Sequence, residues 1–117
     1  MNQKWKIVYY QSPQQNISPV YEFINSLNSK AKSKIINTID LLEEYGTKLG
    51  SHHVKKLTGT DLWELRILGK DNIRILYIAA KDKTFLLIHG FIKKKQRTDK
   101  KDIDTALFRL KEYLLRK

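Results

Sequence analysis

VKKLTGTDLWELRILGKDNIRILYIAAKDKTFLLIHGFI, residues Val54 to Ile92, is where the chain declares its architecture. Four runs rich in β-branched and aromatic residues stand out: Val54 to Leu57, Leu62 to Leu68, Ile73 to Ala79 and Thr84 to Ile92. Between them lie Thr58-Gly59-Thr60-Asp61, Gly69-Lys70-Asp71 and Ala80-Lys81-Asp82-Lys83, all turn-forming segments. Connections this short join antiparallel neighbours, so the stretch predicts a meander of about four strands.

Upstream, Trp5, Ile7 and Tyr9 alternate with Lys4, Lys6, Val8 and Tyr10 until Ser12-Pro13 breaks the period of two, which predicts a further strand. Ser18 before Pro19 is a helix start, because the serine oxygen can accept a free amide and proline has none to leave unpaired. Val20, Phe23, Ile24 and Leu27 then share one side of a short helix. After Asn28-Ser29, the residues Ala31, Ile35, Ile39, Leu42 and Tyr45 recur at helical steps as far as Gly46, which suits the left-handed position after a helix end. Downstream of the meander, Thr98 or Asp99 can cap a third helix with Ile103, Ala106, Leu107, Leu110, Tyr113 and Leu114 on one face. The order predicts an α+β fold. A small antiparallel sheet of about four to five strands would carry an N-terminal helical hairpin and a C-terminal helix on one face, leaving the other open.

At 117 residues the chain has the size of one domain, read as 1–117, with room for one substantial core. It contains no cysteine, which excludes disulfides, thiolate metal sites and cysteine nucleophiles. No apolar run nears the ~18 residues of a membrane span, and MNQKWKIVYYQSPQQ lacks the apolar block of a signal peptide, so no membrane partner and a cytoplasmic location are expected. There are 23 basic and 12 acidic side chains, a net charge of +11. Residues 1–50 hold 6 basic and 4 acidic groups, and residues 51–117 hold 17 and 8, so the excess lies in the second part. A polyanionic partner is implied, nucleic acid first among the candidates.

Within the meander, Trp63, Leu65 and Ile67 point to one face and Glu64 and Arg66 to the other. A three-residue loop at Gly69-Lys70-Asp71 would set Arg66 opposite Arg74, two guanidinium groups side by side, whereas a two-residue loop would put Arg74 beside Ile67. Such neighbours repel unless Glu64 partly neutralises them or an anion binds between them. An even loop at Ala80 to Lys83 would place His89 opposite Arg74 and gather Glu64, Arg66, Arg74 and His89 on one face. Lys55 and Lys56 precede this group, and Lys93, Lys94 and Lys95 follow it. The grouping suits a phosphodiester: arginines grip and stabilise charge on phosphorus, while a histidine or glutamate moves the proton of an attacking hydroxyl. RNA brings its own nucleophile in the 2′-OH, so neither metal nor cofactor is required, and Tyr77 or Phe91 could stack on bases. His52-His53 lacks companions at ligand spacing and reads as loop surface. Trp5 and Trp63 read as core.

KKLTGTDLWELRI at 55–67 and NIRILYIAAKDKTFLLIHGFIKKKQRTDKKDIDTALFRLKEY at 72–113 resemble the HigB-like, phage-derived Gp49-like branch of the RelE/ParE toxin superfamily. Most specific are LWELR, the R-I-L-Y strand, the H-G-F-x-K-K-x-x-x-T step, and A-x-x-R at Ala106 to Arg109. The resemblance implies a RelE-like microbial ribonuclease fold. It further implies a type II toxin that acts as a ribosome-dependent mRNA endoribonuclease, promoting attack of an mRNA 2′-OH on the adjacent phosphate. Carried over by motif, Arg66 and Arg74 would hold that phosphate, with Lys55 or Lys56 and Lys93 or Lys94 in support. His89 stands in the strand that supplies a general acid or base in some relatives. The end of the chain, Tyr113-Leu114-Leu115-Arg116-Lys117, departs from members that keep a catalytic residue there. Also implied are a helix-turn-helix antitoxin of the HigA type, the ribosome and mRNA as partners, and contact with operator DNA only through the antitoxin complex. Two other readings stand beside this one: a ParE-like, non-nucleolytic toxin that inhibits DNA gyrase, and a basic RNA-binding module without catalysis.

Overall fold

The computed structural model of the chain describes residues 4–116; Met1 to Gln3 and Lys117, the ends of the domain read from the sequence, lie outside the described residues. The helix starts follow from side-chain chemistry. Ser18 Oγ accepts the amide of Tyr21 at 3.2 Å and Pro19 opens helix α1, Pro19–Asn25. Asn28 Oδ1 accepts the amide of Ala31 at 2.8 Å and starts α2, Ser29–Tyr45. These two helices form the expected hairpin. At the third helix, α3 (Lys100–Arg116), Asp99 is the capping residue, its Oδ1 accepting the amide of Lys101 at 3.1 Å. Thr98 is thereby left for another role.

Five strands make one sheet: β1 (Lys6–Tyr9), β2 (Val54–Lys56), β3 (Trp63–Arg66), β4 (Ile73–Ala80) and β5 (Thr84–Ile92), in the order β1-β5-β4-β3-β2. The meander β2 to β5 is antiparallel, as the turn lengths require. Strand β1 lies parallel to β5, with Lys6 beside Thr84 and Tyr9 beside Leu87, so the sheet is mixed rather than wholly antiparallel. Parallel pairing is open to β1 because the helical hairpin and the meander intervene before β5.

Helices cover both faces of the sheet, not one. Val20 and Ile24 of α1 and Ile35, Ile39 and Leu42 of α2 pack with Leu65, Ile75, Tyr77, Phe85 and Leu87. On the opposite face, Ala106 and Leu110 of α3 pack with Leu76, Ile78, Leu86, Ile88 and Phe91. The unbroken apolar runs in β4 and β5 are the sequence trace of this two-sided burial. Leu107 and Leu114 are exposed, so the buried side of α3 is narrower than its apolar pattern suggests, and Tyr45 of α2 is likewise exposed. Trp5 and Trp63 are partly buried against the hairpin-side core.

At the end of α2, Gly46 has φ +58°, and a Cβ built there would lie 2.2 Å from Nε1 of Trp5. The Trp5 indole fills that space and stacks on Phe85, ring centroids 4.2 Å apart, which ties β1 to both the hairpin and the sheet. Gly46→Ala therefore meets a steric clash and an unfavourable φ together, and should lower stability by about 2 to 4 kcal/mol. A urea midpoint equal to that of the parent protein would show that the indole is not wedged there.

Candidate functional site

Arg66 and Arg74 are register partners across β3 and β4, as the three-residue loop predicts. Asn72, in the left-handed region at φ +55°, and Gly69 at φ +129° bend the chain so that Leu68 to Asn72 close this hairpin. Lys93, just past β5, donates its amide to Asn72 O at 2.8 Å, so the lysine run begins beside the same loop. Arg66, Asn72, Arg74, Lys93, Lys94, Lys95 and Gln96 together line a groove of about 460 Å³. None of these lining residues is acidic.

Beneath the groove lies Glu64, with no exposed surface. Its Oε1 is 3.3 Å from Lys93 Nζ and 3.6 Å from Arg74 Nε, and its Oε2 accepts a hydrogen bond from Thr98 Oγ1. A buried carboxylate is tolerated when paired and hydrogen-bonded, and this one joins β3, β4, the end of β5 and the approach to α3. Arg74 also donates from Nη1 to Ile73 O at 2.9 Å, but its buried Nε, although close to Glu64, has no hydrogen-bond partner among the described residues. Burial lowers the pKa of Arg74 and Arg66 lowers it further, while Glu64 raises it. The guanidinium still stays charged at neutral pH. The arrangement is thus a pair of adjacent cations with one carboxylate below them, and an anion in the groove would relieve their repulsion.

His89 sits opposite Leu76, not Arg74; Phe91 faces Arg74 instead. The turn at Lys81-Asp82-Lys83 has three residues, with Asp82 and Lys83 at φ +60° and +51°, rather than the even number expected. By itself this would send His89 to the hairpin face. A bulge corrects the parity: Tyr77 pairs with Leu87 and Leu76 with His89, so Ile88 is an extra residue in β5. Arg109 Nη1 donates at 3.1 Å to the Ile88 carbonyl and at 3.1 Å to His89 Nδ1. His89 Nε2 lies 2.8 Å from Asp102 Oδ1. Arginine can only donate, so Nδ1 accepts and Nε2 carries the proton given to Asp102. Both ring nitrogens are occupied, and His89 is not among the residues lining the groove.

Lys55 is the register partner of Glu64 but is exposed at the sheet edge, whereas Lys56 lies over the Trp63 ring at 5.9 Å; neither lines the groove. The three lysines after β5 are not equivalent. Lys94 and Lys95 are exposed, while Lys93 is largely buried on Glu64, so this lysine belongs to the folded framework as well as to the groove. Neither Tyr77 nor Phe91 can stack on a base: Tyr77 is buried in the hairpin-side core with its ring edge-on to Phe85, and Phe91 is buried in the α3-side core with its ring stacked on His89. His52 and His53 lie in a turn, His52 exposed. Sequence reading missed the roles of Thr98, Asp102 and Asn72. For Thr98 the available signal was its competition with Asp99 for the cap.

A family model described as phage derived protein Gp49-like (DUF891) matches residues 22–111, a span that includes every residue of the groove and of the His89 contacts. Among curated proteins, none matches the chain.

Glu64→Gln keeps the shape but removes the anion between Lys93 and Arg74, and should destabilise the fold by about 3 kcal/mol in urea titrations; a neutral effect would show that the carboxylate does not organise the groove. Burial holds the His89 pKa below its ordinary 6.5, with Arg109 and Lys101 adding to the lowering and Asp102 opposing it. The unfolded chain therefore binds this proton more readily than the folded one. Stability should be full above about pH 6.5 and fall as the solution is acidified from there through the lower pKa of the folded state. That dependence should flatten in His89→Gln; identical pH profiles for the two proteins would count against the assignment.

Proposed function

The chain belongs to the Gp49-like family of phage-derived proteins, a toxin-like family, and from that premise we propose that it is the toxin of a type II toxin–antitoxin pair, a HigB-like endoribonuclease that cuts mRNA on the ribosome. The observation that carries this reading is the Arg66–Arg74 pair, set side by side in a groove with no acidic lining residue, with Arg74 Nε lacking a hydrogen-bond partner among the described residues. Adjacent guanidinium groups bind a phosphodiester through its two non-bridging oxygens. When the neighbouring 2′-OH attacks, its oxygen forms a bond to phosphorus and the bond from phosphorus to the 5′-oxygen breaks. Negative charge grows on the non-bridging oxygens, where the two arginines stabilise it.

Glu64 acts here as a positioning residue that holds Arg74 and Lys93, and His89 holds α3 against the bulge in β5. The groove is lined by ammonium, guanidinium and amide groups, with no carboxylate or imidazole among its lining residues to take up the 2′-OH proton. In this reading solvent or the ribosome takes up the 2′-OH proton and supplies one to the departing 5′-oxygen, which gives ribosome dependence a chemical reason. The groove supplies placement of the phosphate and stabilisation of its charge.

The same cationic surface suits a helix-turn-helix antitoxin of the HigA type that covers the groove with acidic groups, and operator DNA is then contacted only through that complex. Among the described residues no helix is long and apolar enough to cross a membrane. Cytoplasmic action follows from the ribosome as target.

Primer extension on a reporter mRNA in a purified translation system tests the proposal. The parent protein should leave discrete cuts at decoding-site codons, and Arg74→Ala or Arg66→Ala should reduce cutting by on the order of 100-fold. Intact message with the parent protein would sink the endonuclease reading, and accompanying DNA damage signalling in cells would turn attention to gyrase. Lys94→Ala and Lys95→Ala should each lower the slope of log affinity against log salt by about one in ribosome or RNA binding.

A further inference from the structure

Strand β1 accompanies β5 for only part of its length. Their pairing ends with Tyr9 beside Leu87 and with the Tyr10 amide on Leu87 O at 2.9 Å. Beyond that point, among the described residues, no strand lies beside β5 on this side. The ladder on the other side decides which backbone groups face the open edge. Ile92 is the register partner of Ile73, and the next residue, Lys93, donates its amide to Asn72 O at 2.8 Å. Backbone groups alternate in direction along a strand, so Phe91 and Lys93 turn theirs to β4, and Gly90 and Ile92 turn theirs outward. Neither outward amide has a hydrogen-bond partner among the described residues.

The two layers form the walls of this edge. Gly90 and Ile92 share the face of Ile75 and Ile73, the hairpin side. There Phe23 of α1 lies where a Gly90 Cβ would come within 2.5 Å of its ring, and Ile92 is 47% exposed. The other wall is the start of α3, with Asp99, Lys101 and Asp102, and a hollow of about 330 Å³ lies between, with Lys94 and Arg97 also on its rim. Both carboxylates are engaged: Asp99 caps α3 and lies 3.9 Å from Lys95, and Asp102 holds His89. Lys94, Arg97 and Lys101 have no ion-pair partner among the described residues. The slot thus pairs uncommitted backbone donors and acceptors with uncommitted positive charge.

We propose that the free edge of β5 at Gly90 and Ile92 is a docking site for an extended, acidic segment of a partner protein, which pairs there as a further strand in line with β1. An unpaired sheet edge is a template for such a strand: main-chain hydrogen bonds hold it, and alternate side chains give it selectivity. One set of its side chains meets Phe23 and Ile92, and the other meets the start of α3 and the cations, so the fitting segment alternates apolar and acidic residues. Nucleic acid would answer the cations, but it carries no row of donors and acceptors at the two-residue repeat of about 6.8 Å that the edge presents. The inference calls on neither RNA nor cleavage.

Nuclear magnetic resonance with the isotope-labelled full chain tests it, the probe being an end-blocked octapeptide of Val-Glu repeats. The peptide should shift the Gly90 and Ile92 amide resonances and slow their exchange with solvent on the order of tenfold, and a Val-Lys octapeptide should do neither. Two further probes carry N-methyl groups, one on every valine and one on every glutamate. An added strand turns only one of these sets of amides toward β5, so one probe should lose affinity on the order of tenfold and the other should keep it. Arg97→Glu combined with Lys101→Glu should weaken Val-Glu binding by a similar factor; the N-methylated probes decide the matter with the parent protein should that variant not fold. No shift at the two amides, full affinity of both N-methylated probes, or equal binding of the Val-Lys peptide would overturn the docking site. A uridine hexamer that alone protects the same amides would overturn it in favour of nucleic acid, and protection in the free protein that grows with its concentration would assign the edge to a second copy. The endonuclease reading is judged separately, by primer extension, and none of these results decides it.

Discussion

Glu64 is a carboxylate with no access to water, and the geometry of the groove depends on that one burial. Taking an ionised carboxylate out of water costs several kcal/mol unless its lone pairs meet donors and its charge meets cations. Thr98, Lys93 and Arg74 supply both, and they come from three separate places in the chain. The network is therefore complete only when β3, β4, the end of β5 and the segment before α3 are all in position. This coupling gives a reason for a glutamate in a basic region: it allows two arginines to sit side by side in a folded protein before any anion arrives.

The second constraint is parity in β5. Burial on both faces of the sheet leaves little tolerance for strand register, since a shift of one residue exchanges the hairpin-facing and α3-facing sets. The three-residue turn at Lys81 to Lys83 sets one parity for Phe85, Leu86 and Leu87, and the bulge at Ile88 sets another for His89, Gly90 and Phe91. A bulge frees backbone groups that need partners, and Arg109 meets the Ile88 carbonyl while also holding His89. Through these contacts α3 is attached to the point where the strand changes phase. The A-x-x-R pattern of the sequence thereby acquires a physical role: Ala106 lets the helix approach the sheet, and Arg109, one turn on, meets the bulge.

Around the groove, residues close in sequence have separate tasks. Lys93 supports the carboxylate, whereas Lys94 and Lys95 remain at the surface; Thr98 bonds Glu64, whereas Asp99 caps α3. The lysine run consequently borders both the cationic groove and a second hollow next to it.

The α+β class, the helical hairpin, the antiparallel meander and the Arg66–Arg74 juxtaposition were legible from sequence because each depends on local rules: helical or strand period, capping chemistry and the length of a turn. The excess positive charge of the second half was equally plain, since it needs only counting. What tertiary structure decided was whatever depends on contacts between distant segments. It put β1 parallel to β5 and placed α3 on the face expected to stay open. It also moved His89 by a bulge that turn length could not foretell, buried Lys93 while leaving Lys94 exposed, and turned Thr98 inward to Glu64. Sequence spacing determines which side of an element a residue occupies, but whether that side meets water, a cation or another layer is settled only when the layers pack.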